Sequence, residues 1–111
     1  EYARSFAAEH NVTMVLKGAG TIAVSPEGKA FLNITGNPGM AKAGSGDMLA
    51  GYMCGSIARG LTPSEGAVCA AYTLGAAAEL AAGEVTEYCA TADDILKKIP
   101  FAVKSFCVQA R

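Results

Sequence analysis

Several features that small domains use for chemistry are scarce in this sequence. Its 111 residues include one histidine, His10, and four widely separated cysteines, Cys54, Cys69, Cys89 and Cys107. Zinc sites draw on close-spaced Cys and His, and thiol redox centres on a C-x-x-C pair, so the spacing argues against both. Three of the cysteines fall on stretches that read as apolar helix faces, where a free thiol serves as a small hydrophobe. Disulfides are therefore not expected, and a reducing cytoplasm is the expected compartment. His10, just ahead of a strand-like run, reads as a surface or helix-end residue. An excess of one charge is also missing. The formal net charge is -1 and the basic residues are scattered, which argues against electrostatic binding of nucleic acid. No run reads as a membrane span: Ala67 to Ala82 is Ala-rich but interrupted by Gly75 and Glu79, and reads as a buried helix. No signal peptide, repeat, low-complexity tract or linker is visible. An initiating methionine is absent as well, and Glu1-Tyr2-Ala3-Arg4-Ser5-Phe6 reads as the middle or end of an amphipathic helix, so an upstream part is expected. The length suits one core and leaves no room for two.

What is present reads as one edge of an α/β sandwich. Residues 2 to 9 suggest the end of a helix with Phe6 and Ala7 inward and Arg4 and Glu9 outward, closed by His10-Asn11. Val12 to Leu16, bounded by Lys17-Gly18, has the unbroken apolar character of a strand covered on both faces. Thr21 to Ser25 and Ala30 to Ile34 are two further strands joined by the turn Pro26-Glu27-Gly28-Lys29, a hairpin that argues against a purely parallel sheet. Three helices follow. Met48, Leu49, Tyr52, Met53, Ser56 and Ile57 recur at helical spacing, with Gly60 as the stop. Thr62-Pro63-Ser64-Glu65 combines a cap, a proline at the first helical position and a glutamate three after the cap. Thr91-Ala92-Asp93-Asp94 opens the third, which carries Ile95, Leu96 and Ile99; Pro100 is expected to break or kink it before Val103, Phe106 and Cys107 resume the stripe.

The stretch from Asn33 to Gly51 is the most informative. A loop of small residues, with Gly36, Gly39, Gly44 and Gly46, runs directly into an apolar-periodic helix with Asp47 at the junction. Glycines let backbone N–H groups approach a ligand, and the first turn of a helix offers unpaired N–H groups and partial positive charge, which suit a phosphate. Taken alone, Asp47 is an ordinary first-turn charge. Two nucleotide motifs fail here. Gly39 to Gly44 has P-loop spacing, but Ser45 stands where the motif needs lysine. Gly18-Ala19-Gly20-Thr21-Ile22-Ala23 matches a loose dinucleotide fingerprint, but a strand follows where a helix should.

Over its full length the loop resembles the ribokinase-like superfamily, whose anion hole is a Gly-x-Gly-Asp turn at a helix N-terminus, here Gly44-Ser45-Gly46-Asp47. The longer string Asn33-Ile34-Thr35-Gly36-Asn37-Pro38-Gly39-Met40-Ala41, with Val15-Leu16-Lys17-Gly18-Ala19-Gly20-Thr21 before it, is similar to the ADP/ATP-dependent NAD(P)H-hydrate dehydratase family, the carbohydrate-kinase-like carboxy-terminal domain of YjeF-type proteins. Residues 12 to 51 carry the resemblance. It implies a ribokinase-like three-layer α/β sandwich of which the chain is the carboxy-terminal part, residues 1 to 111. It further implies that Lys17, Gly18, Ala19, Gly20 and Thr21 line an adenine nucleotide and that Gly46 touches its phosphate end. Asp47 would face the hydrated nicotinamide as the catalytic base, with Asn37 in the same substrate pocket. ADP or ATP would act as phosphoryl donor, accompanied by Mg2+, and no metal ligand is assigned to the protein. The expected partners are NAD(P)H hydrate and adenine nucleotide, with no nucleic acid or membrane, and a homo-oligomer is the expected assembly. The chain departs from the family in having Ala43-Gly44 for two adjacent glycines, and Lys42 where a small hydroxyl residue is usual; Lys42 reads as a solvated loop charge or as a further aid to the phosphate.

Two other readings stay open. A small-molecule kinase of the same superfamily, acting on a vitamin precursor or a sugar, would share Gly44 to Asp47. The chain alone could also be an inactive fragment or assembly module, given an apolar fraction of 51%.

Overall fold

The computed structural model describes residues 1–18, 20–37 and 44–109, and local sequence signals account for most of its element boundaries. Helix α1 (Tyr2–His10) ends where Asn11 takes up a left-handed conformation with φ 52°. Asparagine tolerates that geometry better than most residues, and the amide of Val12 then closes back on the Ala7 carbonyl at 3.0 Å. Ala7 is buried, as its place in the sequence suggests. Phe6 is not: it stays 37% exposed, its ring 4.2 Å from that of His10 at the helix end.

Strands β1 (Met14–Leu16), β2 (Ile22–Val24) and β3 (Ala30–Leu32) form an antiparallel meander in the order β1-β2-β3. The register sets Leu16 opposite Ile22 and Ile22 opposite Leu32, with Val15, Ala23 and Phe31 on the alternate face. At the hairpin, Ser25 donates its N–H to Lys29 at 2.8 Å and accepts the Lys29 N–H on its hydroxyl at 3.2 Å, which satisfies a buried serine. The expectation that the first strand is covered on both faces does not hold. Met14 and Val15 are half-buried and Leu16 is exposed, because β1 pairs only with β2 among the described residues. An apolar run fills a central position only where strands lie on both sides of it.

Helix α2 (Ser45–Ala58) leads to α3 (Pro63–Val85) and α4 (Ala92–Gln109). The Thr62 hydroxyl accepts the Glu65 N–H at 3.2 Å while the Glu65 carboxylate accepts the Thr62 N–H at 2.9 Å, a complete capping box with Pro63 in the first turn. Thr91 and Asp94 make the same reciprocal pair at the start of α4, at 3.1 and 2.9 Å. Pro100 does not break α4, which is one helix throughout. An interior proline costs about 3 kcal/mol in isolation, but buried side chains on both sides of it, Ile95 and Ala102, join one cluster with Ala77, Ala78 and Ala81 of α3, and that burial offsets the lost hydrogen bond. Helix α3 is longer than the apolar stretch inside it. At 23 residues it is long and apolar enough to cross a membrane by length and composition alone, yet 56% of its apolar stretch is buried inside this fold. It packs against α2, α4 and β2 and forms the middle of the molecule.

Two outcomes follow from the α3 cap. Thr62→Ala should lower stability by about 1 kcal/mol, measured as a shift of the denaturant midpoint at constant slope. The Thr62 backbone N–H and hydroxyl hold the Glu65 carboxyl below the usual carboxylate range. Its folded pKa is therefore depressed, so its contribution is complete above the unfolded-chain value of about 4.3 and is lost as pH falls through the lowered one. Thermal unfolding followed from neutral to acid pH should show a smaller acid loss for Glu65→Gln than for the unaltered protein; equal losses would remove Glu65 from the acid response.

Candidate functional site

The start of α2 is set by Gly44, whose φ of 92° is left-handed and closed to most side chains. Its carbonyl accepts the Met48 N–H at 3.1 Å and so begins the helix. No side chain caps this end, which leaves the first-turn N–H groups of Ser45, Gly46 and Asp47 to any ligand placed before them. Asp47 is exposed in that first turn.

Lys17 follows β1 directly and brings its ammonium to the same place. A Cβ built on Gly46 would lie 2.7 Å from Lys17 Nζ, so the absence of a side chain at position 46 is what admits the lysine. A cation and a helix N-terminus, both attractive to phosphate, therefore converge from two distant segments. Beyond Lys17 the chain turns tightly. Thr21 Oγ1 donates to the Gly18 carbonyl at 3.4 Å, and Gly20 lies against Leu32 with φ 88°. Of the residues assigned by resemblance, Lys17 and Gly46 are brought into contact, with Gly44, Ser45 and Asp47 on the same helix start and Gly18, Gly20 and Thr21 in the turn that leaves Lys17. Ala19 lies outside the described residues, and so do Pro38 to Ala43, including the variant positions Lys42 and Ala43.

The segment Asn33–Asn37 is fastened to α3 by contacts that the sequence did not suggest, including one from Asn37, which the resemblance set in the substrate pocket. Asn33 Nδ2 donates to the Ala71 carbonyl at 3.2 Å. The Thr35 hydroxyl lies 3.0 Å from both Asn33 Oδ1 and the Tyr72 carbonyl and donates to one at a time. Gly36 N–H donates to Glu79 Oε1 at 2.9 Å, and Asn37 Nδ2 donates to the Ala78 carbonyl at 3.2 Å. The Asn37 amide thus anchors the loop to α3. Gly75 and Glu79, the two interruptions of the apolar run, are the signal that could have found this contact. Four residues apart, they share one helix face, and that face meets Thr35 and Gly36.

A meander packed on helices beside an anion-ready helix start agrees with the ribokinase-like α/β class that the resemblance implies. Within that class, residues 1–101 match the family model of NAD(P)H-hydrate dehydratase, and the chain belongs to this family. A bifunctional NAD(P)H-hydrate repair enzyme of Moorella thermoacetica is 40% identical over 105 residues, covering 95% of this chain and 20% of that protein. An ADP-dependent (S)-NAD(P)H-hydrate dehydratase of Bacillus subtilis is 36% identical over 106 residues, covering 96% of this chain and 38% of that protein. Among solved structures, the ADP/ATP-dependent NAD(P)H-hydrate dehydratase of Bacillus subtilis co-crystallized with ATP/Mg2+ superimposes with a TM-score of 0.88 at 35% identity, covering 95% of this chain and 38% of that one. The chain therefore spans between about a fifth and two fifths of the relatives it matches.

Substitution at the two helix-start glycines should separate anion binding from stability. Gly46→Ala meets only the tip of a flexible lysine, and alanine is favoured over glycine in a helix by about 1 kcal/mol, so the melting temperature should hold or rise while affinity for ADP falls in calorimetric titration. Gly44→Ala places a Cβ on a left-handed backbone and should cost about 1 kcal/mol of stability. Unchanged ADP affinity in Gly46→Ala would remove Lys17 and Gly46 from the anion site.

Proposed function

We propose that this chain is the carboxy-terminal part of a single ribokinase-like domain that uses ADP or ATP to dehydrate hydrated NADH and NADPH. The observation that carries the reading is the meeting of Lys17 with Gly46 at the uncapped start of α2, beside Asp47. Family membership and the named activities of the relatives support it. Leu32 and Ile34, exposed by 64% and 83%, are apolar surface of the kind that a larger domain covers.

Phosphoryl transfer leaves the protein little covalent work beyond placing groups and stabilising charge. The Lys17 ammonium and the N–H groups from Ser45 to Asp47 would hold the terminal phosphates. Asp47 would accept the proton of the hydrate's hydroxyl as its oxygen attacks phosphorus and the bond to the leaving nucleotide breaks. Elimination then breaks the ring carbon–oxygen bond, releases phosphate, takes a proton from the neighbouring ring carbon and restores the dihydropyridine. Magnesium would neutralise phosphate charge. The free thiols Cys54, Cys69 and Cys89 suit a reducing cytoplasm.

The test is to incubate the full protein that carries this chain with hydrated NADH and ADP or ATP and to follow the absorbance of the reduced ring. Recovery is expected, with kcat for Asp47→Asn lower by about 10²- to 10⁴-fold and nucleotide KM little changed. Nucleotide consumption without recovery would replace the dehydratase by a small-molecule kinase, and neither would leave an inactive fragment or assembly module.

A further inference from the structure

We infer that Glu79 is a positioning residue for the anion site, acting through the Gly36 backbone N–H rather than on the nucleotide. This rests on the dehydratase reading only for what the site binds; the contact itself stands apart from it. Helix α3 buries mostly alanine, and Glu79 is the exposed residue beside that face whose carboxylate reaches the Asn33–Asn37 segment. Glu79 has no cationic partner among the described residues, since the ion pairs there are Lys97 with Asp93 and Lys98 with Glu84. Its hydrogen bond is the one from Gly36, at 2.9 Å.

Gly36 has φ 103°, a conformation that turns the chain away from the strand direction. Its N–H donates to Glu79 on α3, eight residues ahead of Gly44 in the chain. One helical turn before Glu79, Gly75 offers a notch: a Cβ there would stand 1.9 Å from Thr35 Oγ1 and 2.7 Å from the Thr35 carbonyl carbon. The neighbours Asn33 and Asn37 bind the α3 carbonyls of Ala71 and Ala78. Notch and acceptor lie four residues apart and grip two consecutive residues of the incoming segment, so α3 fixes both its depth and its rotation. Apolar packing could fix the depth alone. Rotation about the chain axis needs a directional bond, and the acceptor charge strengthens it.

A contributor to fold stability alone would lower the melting temperature without touching ligand affinity or loop exchange selectively, so the experiment reads all three. The full protein, Glu79→Ala and Glu79→Gln are compared by hydrogen exchange of peptides covering Asn33–Asn37 and Gly44–Met48 without nucleotide, by ADP titration and by thermal unfolding. Glu79→Ala should raise exchange in both peptides and weaken ADP about tenfold, with the helices α3 and α4 still protected. Glu79→Gln keeps an oxygen to accept the same N–H and should restore both. Gly75→Ala should reproduce the exchange increase by pushing Thr35 outward. Unchanged exchange in Glu79→Ala, or failure of Glu79→Gln to rescue, overturns the inference. Should the unaltered protein bind no ADP, the dehydratase reading fails while the exchange comparison still decides the role of Glu79.

Discussion

Small side chains on α3 set how near every other element can come, and that closeness is the constraint on which the remaining structure depends. Ala77, Ala78 and Ala81 bring α4 close enough for Ile95 and Ala102 to be almost fully buried. Gly75, on the same helix, lets the backbone of Thr35 rest directly on the helix surface. Large residues would bury more apolar area per position, but they would hold the strand-to-loop segment away from α3 and break its hydrogen bonds to the Ala71, Tyr72 and Ala78 carbonyls. A helix of low side-chain volume gives up part of the transfer energy of larger residues and gains in return a fixed backbone position for Asn33–Asn37.

Helix starts were legible in the sequence because caps are local. Thr62 with Glu65 and Thr91 with Asp94 each complete their bonds within three residues, and the structure places both where the letters suggest. The hairpin of β2 and β3 was legible for the same reason, since its turn contains its own proline and glycine, whereas the pairing of β1 with β2 was not. Burial was not. Whether Val12 to Leu16 is covered depends on which strands lie beside it, and the orientation of Phe6 depends on what α1 packs against. Pro100 misled because a local penalty was weighed without the α3 contacts that outweigh it.

At the site the pattern is similar. Gly44 to Asp47 could be read as an anion site from glycine spacing and a helix start alone. Lys17 was singled out only by a family resemblance, as a residue lining the nucleotide, and its place beside Gly46 had no short-range signal, because nothing local links a strand end to a helix start so far along the chain. Glu79 and Gly75 were visible only as defects in an apolar run. Periodicity asks what a helix buries, and these two residues serve a segment that approaches from elsewhere.

Lys17 and Asp47 carry opposite charges near one helix start, and an ion pair between them would leave neither group to act. Exposed pairs are worth at most about 1 kcal/mol, so such a contact would form readily and break readily. Asp47 takes part in neither ion pair found among the described residues. The vacant Cβ position of Gly46 explains how the two stay apart. With no side chain at that position, the ammonium rests against Gly46 in the first turn, while the exposed carboxylate one residue later remains open to solvent. The cation is thus held beside Gly46, and the Asp47 carboxylate is left exposed to solvent. A side chain at position 46 would push the lysine off the helix start and, with it, remove that separation.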